Sequence, residues 1–289
     1  MKVKHDYNTN KFLFGHACSG IIDIDFHLHD GFEIYYLISG DVNYFVEKKI
    51  YELKNGDVII TNKSEIHKPH FKSEKTYERI IVQFSKELPI LYGTDNFNLL
   101  NCFNNRQKGE NNLIRLNHDS QEELLVLFDK LEQTSKNINP SDKILRNTYL
   151  IQILVLLNNN FTNTNSSDIN TNIPRKISPI LDYINENLNS DLSLNSIEEI
   201  FFINKYYFSR LFKKSTGINP HEYIVYKRLA WSKELLAEGY SVTEVSNMTG
   251  FNDYANFLRV FKNVIGISPG LYRKINLSAK SPQNTEKKV

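Results

Sequence analysis

The sequence is poor in cysteine and has no long hydrophobic run. Its 289 residues include two cysteines, Cys18 and Cys102, whose positions fit neither a disulfide framework nor a cysteine zinc site. The longest largely apolar stretch, residues 150–157, is far shorter than the roughly 20 residues of a membrane-spanning helix. The N-terminus lacks the apolar run of a secretory signal. We therefore expect a cytoplasmic protein with reduced thiols and no membrane partner.

Neither charge nor apolar content is extreme. Hydrophobic residues make up 40% of the chain and charged residues 24%, which excludes wholesale disorder and fibrous classes. At roughly 150 residues per domain, a chain of this length is expected to form two domains.

The net charge of +2 is unevenly distributed. Residues 1–157 contain 19 basic and 21 acidic residues, net −2, whereas residues 175–274 contain 13 and 10, net +3. The C-terminal part is therefore better suited than the N-terminal part to bind a polyanionic partner. The near balance disfavours a nonspecific DNA-packaging protein, which relies on many phosphate contacts.

The two halves differ in pattern and are separated by a linker. Seven of the fifteen residues from 158 to 172 are asparagine, so we predict a linker over residues 158–174. Apolar and polar residues alternate strictly from residue 22 to residue 29, the period of a half-buried strand. We predict strands over residues 22–28, 32–39, 41–46, 58–61 and 79–84. Short strands at this spacing indicate an antiparallel barrel or jelly roll.

Two helices are predicted after the strands. The first has Asp119 or Ser120 as its N-cap, and the second begins at Ser141. The second helix is apolar over more than one face, so it could form a dimer contact or pack on the barrel. The residues of this apolar surface are Ile144, Leu145, Leu150, Ile151, Leu154 and Leu157.

The C-terminal half contains an internal repeat. Residues 208–223 and 257–272 match at eight of sixteen positions with an offset of 49. Upstream the offset is 48, which pairs Ile203 with Phe251. Each copy has a short helix, a turn and a second helix beginning near Asn204 or Asn252, the outline of a helix-turn-helix.

The second helix of each copy has an apolar and a polar face. Phe208, Leu211 and Phe212 recur at helical spacing and should face the core, as should their counterparts in the second copy. The opposite face combines basic, amide and aromatic groups, which suits a major groove, although solvated faces often look alike. The predicted DNA-binding residues are Lys205, Tyr206, Ser209, Arg210, Lys213, Asn252, Tyr254, Asn256, Arg259 and Lys262.

Residues 177–274 resemble the DNA-binding domain of AraC/XylS-type transcription regulators. The most specific part is the run GF-x-D-x-x-x-F-x-R-x-F-K-x-x-x-G-x-x-P-x-x-Y from Gly250. The resemblance implies two helix-turn-helix units joined by a long helix over residues 220–237, with both recognition helices entering successive major grooves about 34 Å apart. One departure is Ser232, where the family usually has alanine.

The N-terminal half resembles a cupin. Residues 27–40 match the first cupin motif, and Gly56 and His67 have the separation of the second, although Asn62 and Ser64 replace its usual proline and glycine. The resemblance implies a sensor barrel. The predicted effector-binding residues are His27, His29, Glu33, Tyr35 and His67. The histidines and the carboxylate would also suit zinc or iron. The alternatives are a polar lining for an organic ligand, or barrel histidines that neighbouring groups satisfy without any ligand.

We therefore predict an α+β protein with two domains. These are a cupin-like antiparallel β-barrel sensor (1–105) with a helical dimerisation segment (106–157), and an all-α double helix-turn-helix (175–274) between the linker (158–174) and a polar tail (275–289). The predicted function is sequence-specific regulation of transcription, without catalysis and with no cofactor or metal. The expected partners are double-stranded DNA, a second copy of the chain, a small-molecule effector and RNA polymerase. The alternative is a cupin metalloenzyme tethered to DNA.

Overall fold

The chain folds into two compact units with their boundary between Pro174 and Arg175. The computed structural model describes residues 12–19, 28–63, 65–72, 76–136, 139–161, 173–251 and 253–280. In these ranges no helix is both long and apolar enough to cross a membrane.

The described part of the N-terminal unit contains two antiparallel sheets. The strands are β1 (Phe12–Ser19), β2 (Phe32–Ser39), β3 (Val42–Val46), β4 (Lys49–Glu52), β5 (Val58–Thr61), β6 (His67–Phe71), β7 (Tyr77–Phe84) and β8 (Leu113–Ile114). Five of them pair in the order β1-β7-β2-β5-β8, and the other three pair in the order β4-β3-β6. The prediction of an antiparallel β-domain is confirmed, while the strand predicted over residues 22–28 lies almost wholly outside the described residues.

Both faces of the larger sheet are covered, which explains the continuous apolar run of β2. Tyr35 and Leu37 point into a core shared with the smaller sheet. Ile34 and Tyr36 point the other way, into a core completed by helices. A strand buried on both sides needs no polar alternation.

Four helices of the N-terminal unit lie within the described ranges: α1 (Glu87–Tyr92), α2 (Asn101–Asn104), α3 (His118–Ser135) and α4 (Pro140–Phe161). The N-cap of α3 is Asn117, whose side chain accepts a hydrogen bond from the Ser120 amide, so the prediction of Asp119 or Ser120 as the cap is wrong. The second helix begins one residue before the predicted Ser141.

Helix α4 packs its apolar side inward and continues into the predicted linker. Leu150, Leu154 and Leu157 are buried in the core beneath the sheet, so of the two alternatives these three residues pack on the sheet and do not form a dimer surface. Asn158 is also buried, and its side chain accepts from the Cys102 amide at 2.9 Å and donates to the Leu99 carbonyl at 2.8 Å. The helix therefore ends at Phe161, four residues into the segment predicted as linker.

Every regular element in the described part of the C-terminal unit is a helix. Its helices are α5 (Ser178–Glu186), α6 (Leu194–Phe201), α7 (Lys205–Thr216), α8 (Pro220–Glu238), α9 (Val242–Met248), α10 (Tyr254–Ile265) and α11 (Pro269–Lys280). The two short helices, α6 and α9, begin at equivalent serine caps, Ser193 and Ser241. The long joining helix is α8, which extends one residue beyond the predicted 237.

The sequence repeat is also a structural repeat. In the first copy the rings of Phe208 and Phe212 meet edge to face with centroids 5.6 Å apart, and Phe212 meets Tyr223 at 5.6 Å. The corresponding pairs of the second copy, Phe257 with Phe261 and Phe261 with Tyr272, lie at 5.7 and 5.8 Å. All four phenylalanines are fully buried. Burial of these rings fixes which faces of α7 and α10 remain exposed.

Candidate nucleic-acid interface and sensor site

Helix α7 presents a mixed basic and aromatic face to solvent. Its N-terminus is capped by Asn204, whose side chain accepts from the amides of Tyr206 and Tyr207 at 3.2 and 3.1 Å. Tyr206 is exposed, as are Arg210 and Lys213 one and two turns further on, and Ser209 is half-exposed. The residues predicted to contact DNA therefore lie on the open side of this helix.

Lys205, the first residue of α7, is held by the preceding helix. Its ammonium donates to the Asn195 side chain at 2.8 Å and lies 3.9 Å from a carboxylate oxygen of Glu198. The backbone amide of Lys205 also donates to Glu198 at 3.2 Å. These bonds join α6 to the start of α7 and so fix the angle of the helix-turn-helix.

Helix α10 has the equivalent open face. Its cap is Asp253, which accepts from the Ala255 amide at 2.9 Å, and the predicted Asn252 lies outside the described residues. Tyr254, Arg259 and Lys262 are exposed. The guanidinium of Arg259 donates to the half-buried Asn256 side chain at 2.7 Å, which holds it over the face.

One exposed residue beside this interface was absent from the predictions. Phe202, in the turn between α6 and α7, is 95% exposed and has a left-handed backbone. The signal in the sequence was the repeat, since an offset of 48 pairs Phe202 with Gly250.

The sensor site is centred on Glu33 between the two sheets. Glu33 is buried on β2, in register with Thr61 of β5 and Gln83 of β7. Its carboxylate accepts from the Tyr44 hydroxyl at 3.2 Å and from the Gln83 amide at 2.7 Å. Strand pairing therefore places three polar side chains side by side, which spacing along the chain could not reveal.

Two of the predicted histidines meet this carboxylate. Nε2 of His29 and Nε2 of His67 lie 3.4 and 3.5 Å from the two oxygens of Glu33, and the two imidazole rings are 5.0 Å apart. The third predicted histidine, His27, lies outside the described residues.

The groups at this site shift one another's protonation. Burial alone would raise the pKa of Glu33, but the charge of His67 and hydrogen bonds from both imidazoles outweigh it and hold the pKa well below its usual value. Burial alone would lower the pKa of His67, and the charge and hydrogen bond of Glu33 raise it instead. Both shifts have the direction expected for a carboxylate and an imidazole that stabilise each other's charged forms.

A buried ion pair positions the segment that carries His67. The guanidinium of Arg106 makes two hydrogen bonds to Glu65, at 2.5 and 2.6 Å, and both side chains are almost fully buried. The Glu65 carbonyl accepts from Nδ1 of His67 at 2.9 Å. The ion pair thus orients the imidazole, because its Nε2 can then point at Glu33.

Two hydroxyl groups near the carboxylate lack partners within the described residues. The Tyr35 hydroxyl and the Thr61 hydroxyl are both buried and make no hydrogen bond there. An unsatisfied buried hydroxyl is costly. Both groups are therefore available to a bound molecule.

The same side chains have the spacing of a metal site. Single ligand atoms of His29, Glu33 and His67 all lie within 4.8 Å of one another. Two imidazoles and a carboxylate suit zinc or ferrous iron. The residues present therefore fit a divalent ion as well as an organic ligand.

Comparison with known proteins agrees with the type of domain assigned to each half. Residues 22–154 match the family described as an AraC-like ligand binding domain, and residues 198–275 match a helix-turn-helix domain. The Msm operon regulatory protein of Streptococcus mutans is 25% identical over 250 residues, 86% of this chain and 85% of that protein. The probable transcriptional regulator LumQ of Photobacterium leiognathi is 33% identical over 92 residues, 32% of this chain and 37% of LumQ.

Among solved structures, the fatty-acid-bound ToxT of Vibrio cholerae is 14% identical with a TM-score of 0.39, over 92% of this chain and 95% of that one. The chain spans most of the Streptococcus relative but about a third of LumQ and of several other curated relatives.

A β-sheet domain of ligand-binding type, followed by two helix-turn-helix units, defines a DNA-binding transcriptional regulator. The matched families and the relatives' names are those of AraC-type regulators, to which both halves of this chain are similar. The relatives are named as regulators of transcription, a class that is not enzymatic.

Proposed function

We propose that this regulator reads DNA with α7 and α10 in successive major grooves, in the cytoplasm. The observation that carries the proposal is the duplicated geometry: two helices with matching buried rings expose an arginine at equivalent positions, Arg210 and Arg259. Core packing does not require either guanidinium. Arginine can donate two hydrogen bonds to a guanine edge, whereas Lys213 and Lys262, nearer the helix ends, suit phosphates.

Selection from random-sequence duplexes by the full-length protein tests this function. The expected product is a site with two blocks of preferred bases whose centres lie about 10 base pairs apart, one helical turn. The two blocks should differ, because the exposed faces of α7 and α10 differ. Sequencing of the bound pool measures this, and a pool that stays random would contradict the proposal.

We propose that Glu33 and its neighbours bind a small polar organic effector. The hydroxyls of Tyr35 and Thr61, which have no hydrogen-bond partner in the part of the chain that the structure describes, support this choice. A molecule with several polar groups could satisfy both of them, whereas a lone metal ion has no such groups. The metalloenzyme alternative is supported by one observation, the spacing of His29, Glu33 and His67.

We also propose a homodimer formed through the exposed side of α3 and α4. With Leu150, Leu154 and Leu157 in the core, the apolar residues left on the surface are Leu125, Val126, Ile144, Leu145 and Val155. On α4, Ile144 and Val155 face the same side about three turns apart, and Leu145 flanks Ile144, so the three form a broad stripe in which Ile144 is 68% exposed. Exposed apolar residues grouped in this way are typical of interaction surfaces. We also propose RNA polymerase as a further partner.

Ile144→Glu is expected to give a folded monomer, because it places a carboxylate in the apolar contact. Loss of an anchoring apolar side chain should weaken the dimer roughly tenfold or more. Light scattering over a concentration series measures the shift. Leu91→Glu on α1 is the matched control, since Leu91 is also an exposed apolar residue but lies outside the stripe. An unchanged mass for Ile144→Glu would exclude this surface.

A further inference from the structure

The turn of the first helix-turn-helix carries an aromatic ring that the fold does not use. Phe202 follows α6 and is 95% exposed. The neighbouring Phe201 packs edge to face on Tyr183 of α5, with centroids 5.5 Å apart, and Ile203 is half-buried. Of these three consecutive apolar residues, Phe202 alone points into solvent.

The backbone at this residue is in a conformation that glycine adopts without strain. Phe202 has φ 51° and ψ 38°, in the left-handed region that is costly for a bulky side chain. The equivalent residue of the second copy is Gly250, with φ 74°. A Cβ there would collide with the Leu188 carbonyl oxygen and approach the Arg228 guanidinium at 2.9 Å.

Both copies therefore make the same turn, but the first makes it with a phenylalanine. A strained backbone that displays an exposed apolar ring contributes little to folding and indicates a role in function.

The position of Phe202 points to DNA as the partner. The N-terminal residues of a recognition helix contact base edges, and Phe202 lies three residues before the start of α7 and four before the exposed Tyr206. A phenyl ring can make one favourable contact with the base edges of the major groove, the C5 methyl group of thymine, because the other edge groups are hydrogen-bond donors or acceptors.

We propose that Phe202 contacts a thymine methyl group at the edge of the half-site read by α7. The first half-site then carries a thymine preference that the second lacks, since Gly250 has no side chain to provide it. This inference rests on the groove assignment proposed above.

Phe202→Gly tests the contact, because it gives the first copy the residue of the second. The variant should unfold at a temperature no lower than wild type, since the ring is exposed and glycine relieves the strain. Full-length wild type and variant each select sites from random-sequence duplexes. Wild type should recover a thymine at the edge of one block, and the variant should recover the same site without that preference. Phe202→Leu should retain it, because leucine keeps an apolar contact.

Replacement of that thymine by deoxyuridine removes the methyl group alone. Wild type should then bind about fourfold more weakly, the value of one buried methyl-sized group, and Phe202→Gly should bind both duplexes equally.

If wild type and Phe202→Gly both recover the same thymine, or if deoxyuridine weakens the binding of both proteins equally, the proposed contact is wrong. A variant with an unchanged site but lost activation of transcription would overturn it in favour of a protein partner. If wild type recovers no preferred site at all, the groove assignment itself is refuted, and that outcome is read from wild type alone, whatever Phe202→Gly does.

Discussion

Replacing Arg210 and Arg259 together by alanine is expected to remove most of the sequence selectivity of the protein while leaving its nonspecific DNA binding nearly intact. Each bidentate arginine–guanine pair discriminates against other bases by about 1–3 kcal/mol. That is roughly 5- to 150-fold in affinity for each residue, and the effects should approximately add, because the two arginines belong to different half-sites. Both side chains are exposed, so the change in the free energy of unfolding should stay within about 0.5 kcal/mol.

Matched lysine variants distinguish the loss of a base contact from the loss of a positive charge. Lys214→Ala removes one exposed positive charge from α7 without removing a predicted base contact, so the selected site should be unchanged. Lys213→Ala and Lys262→Ala should weaken binding to all sequences alike and lower the salt dependence by about one phosphate contact each. The measurement is affinity for the selected site and for a scrambled duplex at several salt concentrations. Equal losses on both duplexes for the arginine variants would assign Arg210 and Arg259 to phosphates instead.

Binding of the effector is expected to raise the unfolding temperature of the wild-type protein and to have little effect on Glu33→Gln. At a concentration 100 times its Kd, a ligand stabilises the folded state by about 2.7 kcal/mol, which for a domain of this size is roughly 5–10 °C. The glutamine variant keeps the shape of the side chain but removes the charge that both imidazoles face. A thermal-shift screen of sugars, amino acids and small organic acids measures the effect.

In the metal arm of the same experiment, zinc and ferrous ions alone are added as probes, and the metal content of the purified protein is measured. If the site binds an organic effector, the purified protein should contain neither metal in stoichiometric amount. Stoichiometric zinc or iron in wild type, lost in Glu33→Gln and in His67→Ala, would overturn the organic-effector proposal and favour the metal-dependent alternative. Tyr207→Ala, which alters a residue of the other unit, is the control for general changes in protein quality.

Strands with continuous apolar sequence were predictable because both of their faces are buried. The bounds of β2 and β5 agree with the prediction, since Phe32–Ser39 and Val58–Thr61 stand between turn signals. Strand β6 was missed because HKPHF combines a proline with charged and polar residues. Its place in the sheet depends on pairing with β3, and local propensity does not encode that pairing.

The sensor site was predictable in part. Glu33, His29 and His67 were identified from motif spacing, and the structure brings them together. Gln83 and Thr61 join them through strand register across the sheet, which a single sequence does not reveal. The apolar surface of α4 was left with two alternatives for a related reason: periodicity shows that Leu154 is apolar, but not which neighbour covers it.

The unequal faces of α7 and α10 give a bound protein a polarity. One helix exposes Tyr206 beside its arginine and has the half-exposed Ser209 next to it, whereas the other exposes Tyr254 and has the half-buried Asn256 beside its own arginine. Because the half-sites so read are not mirror images, a single chain can lie on a given site in one direction only. A surface of the protein that faces upstream at one promoter therefore faces upstream at every promoter whose binding site has the same orientation. Inverting the binding site points that surface in the opposite direction along the DNA.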